Sequence, residues 1–580
     1  MTLNDNTIET TEDLLRFVDE AHLTATRRRD MKSAILRTCE MAGCTPQSLR
    51  LEVPIIREVL RKIRPAAHNV SEKTWANIRS LFGAALELAG VIDRLGRGVA
   101  LRHPGWGPLM RAIASDQRLA GGLAALANWC AARDISPPDV DDATLQEFHT
   151  WLENRTLCPK PRDLVRRVPN VWNEASAKIE SWPKTRLTKV SFKGPRKRLQ
   201  WKSLSESFQH DVRAYVAMRA EPDLFDERPN APRRPLAAST LNRQGEHLRL
   251  AASILIESGV AVEDIASLAD LIQPERVKII LRYYHERANR EPNAFAICLA
   301  QTLIQVAQYY LGATADVVAQ LKRFASKLPP IPFDLTPKNK ALLRQLESDH
   351  TRAKLLFLPE QLMAEVARDL ERGRVRFVDA QVAIAIDFQL AIPLRPQNLS
   401  SLNWQRHFSE PDGPKGRLLL HIPASETKSR REDFIAEIPE HVTRRLRWYR
   451  RHILPRLNAD MNGDLFVTKA GIRKDQRTIT VQIIKAIAQR LGVHMTPHQF
   501  RHLAGASYLD ENPQDLETAR LMLGHAWSKT TLIYVGSAGP RASRAYNQFL
   551  FKQRDALKLK LKPQTSRKHK KEIGEKPCAS

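Results

Sequence analysis

The stretch Leu328-Pro329-Pro330-Ile331-Pro332 sets the first limit on how this chain can fold. Three prolines in four positions remove backbone donors and clash with the preceding turn, so no helix crosses it. It reads as a hinge, with a domain boundary near residue 335, between a long helical part and a C-terminal part of different pattern. At 580 residues the chain is too long for one core, and three or four domains are expected.

On the N-terminal side, apolar residues recur at helical spacing. Leu14, Phe17, Val18 and Ala21 follow a Thr-Glu-Asp start, a second helix runs from Asp30 to Gly43, and Trp75, Ile78, Phe82, Ala85 and Leu86 line a third. Leu126, Trp129 and Cys130 end another, and Leu145, Phe148, Trp151 and Leu152 line the next, with Pro137-Pro138 and Asp141-Asp142 as the turn and cap between them. From about Ser203 to Lys327 the pattern resumes through Val212 and Tyr215, Leu248 and Leu255, Ile279, Ile280 and Tyr283, then Leu303 and Tyr310. Between these stretches lies a basic segment containing Lys184, Arg186, Lys189, Lys193, Arg196, Lys197 and Arg198 and no acid. An exposed linker is the plain reading. Cations this dense can also neutralise several phosphates of a nucleic-acid backbone, which makes binding salt-dependent.

The charge of the whole chain agrees. Lys and Arg number 91 against 64 Asp and Glu, a net +27, which suits a polyanion, with nucleic acid the default. There is no apolar run of eighteen residues and no basic amphipathic helix with a lipid-facing side, so no membrane partner is expected. The first residues lack the basic-then-apolar order of a secretory signal, and a cytoplasmic, nucleoid-associated location is expected. Six scattered cysteines, with no Cys/His cluster at zinc spacing, call for neither a disulfide framework nor a metal.

The chemistry concentrates between Thr496 and Val535. Thr496 is a good N-cap, Pro497 suits the first helical position, and Gln499 completes a Thr-x-x-Gln capping box. A helix starting there carries His498 and Arg501 on one face near the positive end of its dipole, where an anion is the natural guest. Phe500, Leu503, Ala504 and Ser507 are expected to form the inward stripe, leaving the His/Arg face open. After Asn512-Pro513 a second helix, Leu516 to Leu523, should stop at Gly524 and deliver His525, and Tyr534 follows nine residues later. Each piece alone is ordinary: a surface His/Arg pair, a glycine cap, a packed tyrosine. Together they describe a phosphate clamp with its own nucleophile.

His498-x-x-Arg501, Leu523-Gly524-His525 and Tyr534, with Thr530-Thr531 before the tyrosine, resemble the tyrosine recombinase (phage integrase) family. The resemblance implies a mainly α, multidomain chain: helical N-terminal DNA-binding modules and a mostly α catalytic domain with a small antiparallel β-sheet. The expected layout is an N-terminal helical domain (1–100), a helical module ending in the basic linker (101–200), a core-binding-like helical domain (201–330), the catalytic domain (337–550) and a basic disordered tail (551–580).

It also implies an upstream arginine and a hairpin lysine. Arg395, in the turn Pro393-Leu394-Arg395-Pro396 after an apolar helix, matches the first, with Asn398 where a glutamate is usual. Lys428, between the strand-like segments 417–422 and 433–438, matches the second, and Arg430 and Arg431 beside it are further DNA-binding candidates.

In this reading Arg395 and Arg501 grip the non-bridging oxygens of a phosphodiester, and His525 donates a further hydrogen bond. Tyr534 attacks with His498 as base or hydrogen-bond partner, and Lys428 protonates the leaving 5′-oxygen. The product is a 3′-phosphotyrosyl link that stores the bond energy, so no cofactor, ATP or metal is required. Tyr508 and Tyr546 are the rival nucleophiles. The implied activity is site-specific recombination or integration for a mobile element, by a tetramer on double-stranded DNA, with the need for other recombinases left open. A type IB topoisomerase-like relaxase and a catalytically silent DNA-binding regulator are the alternatives.

Overall fold

A computed structural model describes residues 8–534, 547 and 550–553, apart from residues 97, 191, 193–198, 224, 229–230, 233, 428–431 and 526. The described chain is mainly helical, with a small three-stranded antiparallel sheet, and it divides into two compact units. One takes in Met1–Leu164, Ala175–Thr185 and Asp334–Ser580; the other takes in Val165–Glu174 and Arg186–Phe333.

The second unit is a helical bundle. Helices Glu206–Ala220, Ala238–Glu257, Pro274–Arg287, Ala294–Gln305 and Ala315–Ser326 bury Phe208, Tyr215, Leu248, Leu255, Ile280 and Leu303 in one core. Of Ile279, Ile280 and Tyr283, expected on the inner face, Ile280 is buried, Ile279 is 38% exposed and Tyr283 is half-buried, and Tyr284 is buried beside Ile280.

In the first unit the N-terminal helices are Thr11–Glu20, Ala25–Ala42, Val53–Lys62 and Glu72–Leu88. The first starts at a capping box between Thr10 and Asp13, and the second ends at Gly43 with φ +68°. The helix Val53–Lys62 was not foreseen. It is tied to the end of the helix Asp142–Arg155 by Arg57, whose Nη2 donates to the carbonyls of Leu152, Glu153 and Thr156 at 3.0, 2.6 and 2.9 Å. A cation at a helix C-terminus satisfies the orphan carbonyls and complements the dipole.

The C-terminal part is built around the helix Phe377–Ala391, which buries ten residues and is apolar almost all round. The helices Leu358–Glu371, Glu440–His452 and Gln476–Leu491 pack on it. Its one carboxylate in that core, Asp387, is 3% exposed and ion-paired in a two-point grip with Arg445 of the helix Glu440–His452. The sheet has the order β1 (Phe408–Ser409), β2 (Leu418–Ile422), β3 (Phe434–Ile438), all antiparallel, with Leu418 opposite Ile438 and Ile422 opposite Phe434. The hairpin strands fall where the sequence puts them; the two-residue β1 is additional.

Candidate active site

The helix Pro497–Glu511 begins as its sequence dictates. Gln499 Oε1 accepts from Thr496 N at 2.8 Å, which closes the capping box, and Pro497 stands at the first helical position. The buried face differs from the expected stripe. Phe500, Arg501, His502, Gly505 and Leu509 are buried, Leu503 and Ala504 are half-buried, and Ser507 is exposed. Arg501, expected on an open face, is 5% exposed.

The physical reason is what its guanidinium reaches. Nη1 donates to the carbonyl of Pro393 at 2.6 Å, and Nη2 donates to the carbonyl of Leu523. Arg395, at the N-cap of the short helix Pro396–Ser400, donates from Nη2 to the next carbonyl, Gly524, at 3.1 Å. Arg520 donates to the one after, His525, at 2.9 Å. Three successive carbonyls therefore each hold a different arginine.

That loop is fixed by a Schellman motif. The helix Leu516–Met522 ends with Gly524 N donating to Leu521 O at 2.9 Å and His525 N donating to Arg520 O at 3.0 Å. Gly524 has φ +55°, the left-handed conformation that glycine adopts without strain.

Arg395, Arg501, His525 and Arg520 line one cavity of about 170 Å³, together with Asn398, Thr427 and Phe434. The exposed carboxylates Glu432 and Asp433 line it too, and Asp433 is engaged by His421 at 2.7 Å. Burial lowers the pKa of Arg395, while burial and the nearby Arg395 push Arg501 down to about 10, still charged at neutral pH. His525 is pushed down to about 4 by burial and by the two arginines, so its ring is neutral, and its Nδ1 is hydrogen-bonded to Thr531 Oγ1 at 3.1 Å.

Tyr534 closes the helical turn Leu532–Tyr534 and is 2% exposed. Its ring packs with Leu335, Leu509, Ala519 and Leu523 and is not part of the cavity wall. Arg501 is shared: it lines the cavity, and its charge opposes the burial that pushes the phenol up to about 12.

The Tyr534 hydroxyl is hydrogen-bonded to His502 Nδ1 at 3.1 Å. The His498 ring, exposed, stands edge-on to His502 with centroids 5.1 Å apart. His502, Gly505 and Arg520 were not singled out from the sequence. A signal existed for the first: His498 and His502 are four apart, hence neighbours on one helix face.

Asn398 donates from Nδ2 to the carbonyl of Glu426 at 3.1 Å. Lys428, Arg430 and Arg431 lie outside the described residues, but Thr427 and Glu432, which flank that segment, both line the cavity. Of the linker candidates, Lys184, Arg186 and Lys189 are exposed on non-helical chain, and Lys193, Arg196, Lys197 and Arg198 lie outside the described residues. Tyr508 donates to Asp515 at 2.6 Å, and Tyr546 lies outside the described residues.

Chemically, two guanidiniums and a neutral imidazole line a space suited to a tetrahedral oxyanion, with a phenol within electrostatic reach of one of those arginines.

Comparison with known proteins finds both sequence and structural likenesses. The sequence model of the phage integrase family matches residues 360–539. The chain is 37% identical over 109 residues to tyrosine recombinase XerC of Pseudomonas entomophila (strain L48), covering 17% of this chain and 35% of that protein. It is 41% identical over 91 residues to tyrosine recombinase XerC of Pseudomonas savastanoi pv. phaseolicola (strain 1448A / Race 6), covering 14% and 30%. The chain thus spans about a third of the length of the curated relatives it matches. Among solved structures it is similar to XerA recombinase, with 16% identity, a TM-score of 0.24 and coverage of 60% of this chain and 98% of that one. A lambda integrase(75-356) dimer bound to a COC′ core site matches with 14% identity, a TM-score of 0.33 and coverage of 57% and 96%.

Proposed function

We infer that this chain is a site-specific DNA recombinase that cuts and rejoins strands through Tyr534, a reading supported by the match of residues 360–539 to the phage integrase family model. The observation that carries this reading is the pair Arg395 and Arg501 in one cavity wall, with Arg501 also acting on the Tyr534 phenol.

A phosphodiester resists attack because its charge repels nucleophiles and its alkoxide leaves poorly. Each guanidinium has five N–H donors, so both can hold a phosphate oxygen while keeping bonds to the main chain. In that position they stabilise the charge that builds at phosphorus. The phenol oxygen then bonds to phosphorus as the bond to the 5′-oxygen breaks. The result is a 3′-phosphotyrosyl ester and a 5′-hydroxyl, and religation reverses both changes. Lys428 is assigned the protonation of the 5′-oxygen, on the strength of its matching position and of the adjoining Thr427 in the cavity wall.

We assign duplex DNA as substrate and a tetramer as the acting form, because exchange between two duplexes uses four strand cuts. The helical regions 1–100, 101–200 and 201–330, with the linker cations, are assigned to gripping the duplex, and the tail 551–580 to non-specific affinity. Movement of a genetic element in the cytoplasm is the proposed setting.

The test begins with target capture. The chain is incubated with sheared genomic DNA of its source, covalent adducts are recovered under denaturing conditions, and the joined ends are sequenced. A nicked suicide duplex carrying that site should give a protein–DNA band on a denaturing gel with wild type and none with Tyr534→Phe. A band that persists in Tyr534→Phe sinks the nucleophile assignment. Supercoil relaxation without any two-site product sinks the recombinase reading in favour of a relaxase.

A further inference from the structure

The hydroxyl of Tyr534 is hydrogen-bonded to one ring in a chain of two. His502 Nδ1 lies 3.1 Å from the phenol oxygen, and the two ring centroids are 5.7 Å apart. His498 lies one helical turn earlier, edge-on to His502 at 5.1 Å between centroids, and is exposed. A buried phenol, a buried imidazole and a surface imidazole thus form a line from the nucleophile to solvent. The geometry points to His502 as a further catalytic residue: the immediate acceptor of the Tyr534 proton, with His498 relaying it outward. This rests on the reading of Tyr534 as nucleophile.

The step balances within the site. As the phenol oxygen bonds to phosphorus, its proton moves to His502 Nδ1, and the bond from phosphorus to the 5′-oxygen breaks, that oxygen taking its proton from the acid assigned above, Lys428. The His502 ring, briefly cationic, releases its Nε2 proton towards His498 and water. On religation the 5′-hydroxyl gives its proton back to Lys428 as its oxygen bonds to phosphorus, and the His502 ring returns a proton to the departing phenol oxygen.

The surroundings suit such a passing role. The charged and titratable groups acting around His502 are His498 and Arg501 on its own helix, with Tyr534 and His525 from the segments packed against it. Burial, His498 and Arg501 hold His502 down to about 4, so it is neutral and able to accept across the working range. The same surroundings make the cation short-lived, which favours onward transfer over storage.

The test uses the full chain and the suicide duplex defined by target capture, with first-order cleavage rates measured from pH 6 to 9. His502→Phe keeps a ring but removes both nitrogens, and cleavage is expected to fall by about 100-fold or more while duplex binding holds. His502→Asn keeps a polar group near the Nδ1 position but cannot turn over a proton. Its cleavage should climb about tenfold per pH unit, tracking the phenolate fraction, where wild type is flat.

A His502→Asn profile superimposed on wild type overturns proton acceptance and leaves His502 a positioning role. Cleavage by His502→Phe at or above the wild-type rate overturns the inference outright, while Tyr534→Phe, still inactive, keeps the nucleophile reading. Wild type with no Tyr534-dependent adduct removes both together.

Discussion

Gly505 stands in the middle of the helix Pro497–Glu511, where glycine costs about 1 kcal/mol relative to alanine. A β-carbon added there meets Tyr534 Cδ2 and Cε2 at 2.8 Å and Leu523 Cδ1 at 3.1 Å. The missing side chain is therefore the space that the ring of Tyr534, the proposed nucleophile, occupies. Gly505→Ala gains helix propensity but displaces the ring, and a net loss of roughly 1–3 kcal/mol is expected in denaturant unfolding. Cleavage should fall more than duplex affinity, because Arg395, Arg501 and His525 keep their places. A Gly505→Ala chain that cleaves at the wild-type rate refutes this account of the glycine. The signal was open to reading, since a glycine inside a helical pattern usually answers to something pressed against it. What pressed against it was hidden, because Tyr534 is 29 positions further along.

At the scale of elements, the site hangs on one short helix end. The Schellman turn at Gly524 aims the carbonyls of Leu523, Gly524 and His525 at Arg501, Arg395 and Arg520, so a local backbone motif sets the spacing of three cations. Gly524→Ala puts a β-carbon on a left-handed residue, at a cost of about 1 kcal/mol. Space does not forbid it, since the nearest atom is Phe434 Cδ2 at 3.5 Å. The expected phenotype is a small drop in thermal stability with a larger drop in cleavage, as the arginines lose their shared frame. A cleavage loss no greater than the stability loss implies would show that the frame does not matter.

The parts of this architecture visible in the sequence are the local ones. Thr496, Pro497 and Gln499 start a helix by contacts within one turn, and Gly524 stops one the same way. The burial of Arg501 was not visible, because its carbonyl partners lie 108 and 22 positions away. Asp387 and Arg445, 58 positions apart, escaped for the same reason. An arginine on an amphipathic pattern reads as solvated until the fold supplies something for it to hold.

At the scale of the whole molecule, the net charge of +27 would supply affinity for the proposed duplex without sequence information. Every cation seated on a phosphate releases condensed counterions, so the logarithm of the binding constant falls with the logarithm of salt at about 0.9 per phosphate neutralised. Of the linker cations, Lys184, Arg186 and Lys189 are described and exposed, and Lys184 also donates from Nζ to the carbonyl of Ser176 at 3.3 Å, a bond that its removal gives up. Replacing all three by Ala should weaken binding about equally for the captured site and for an unrelated duplex. The salt slope should shrink by roughly three on both, as read by fluorescence anisotropy at several salt concentrations. The ratio of the two affinities, which base contacts and DNA shape determine, should hold. An unchanged slope would mean that the strip never meets the backbone, and a collapsed ratio would mean that it reads bases.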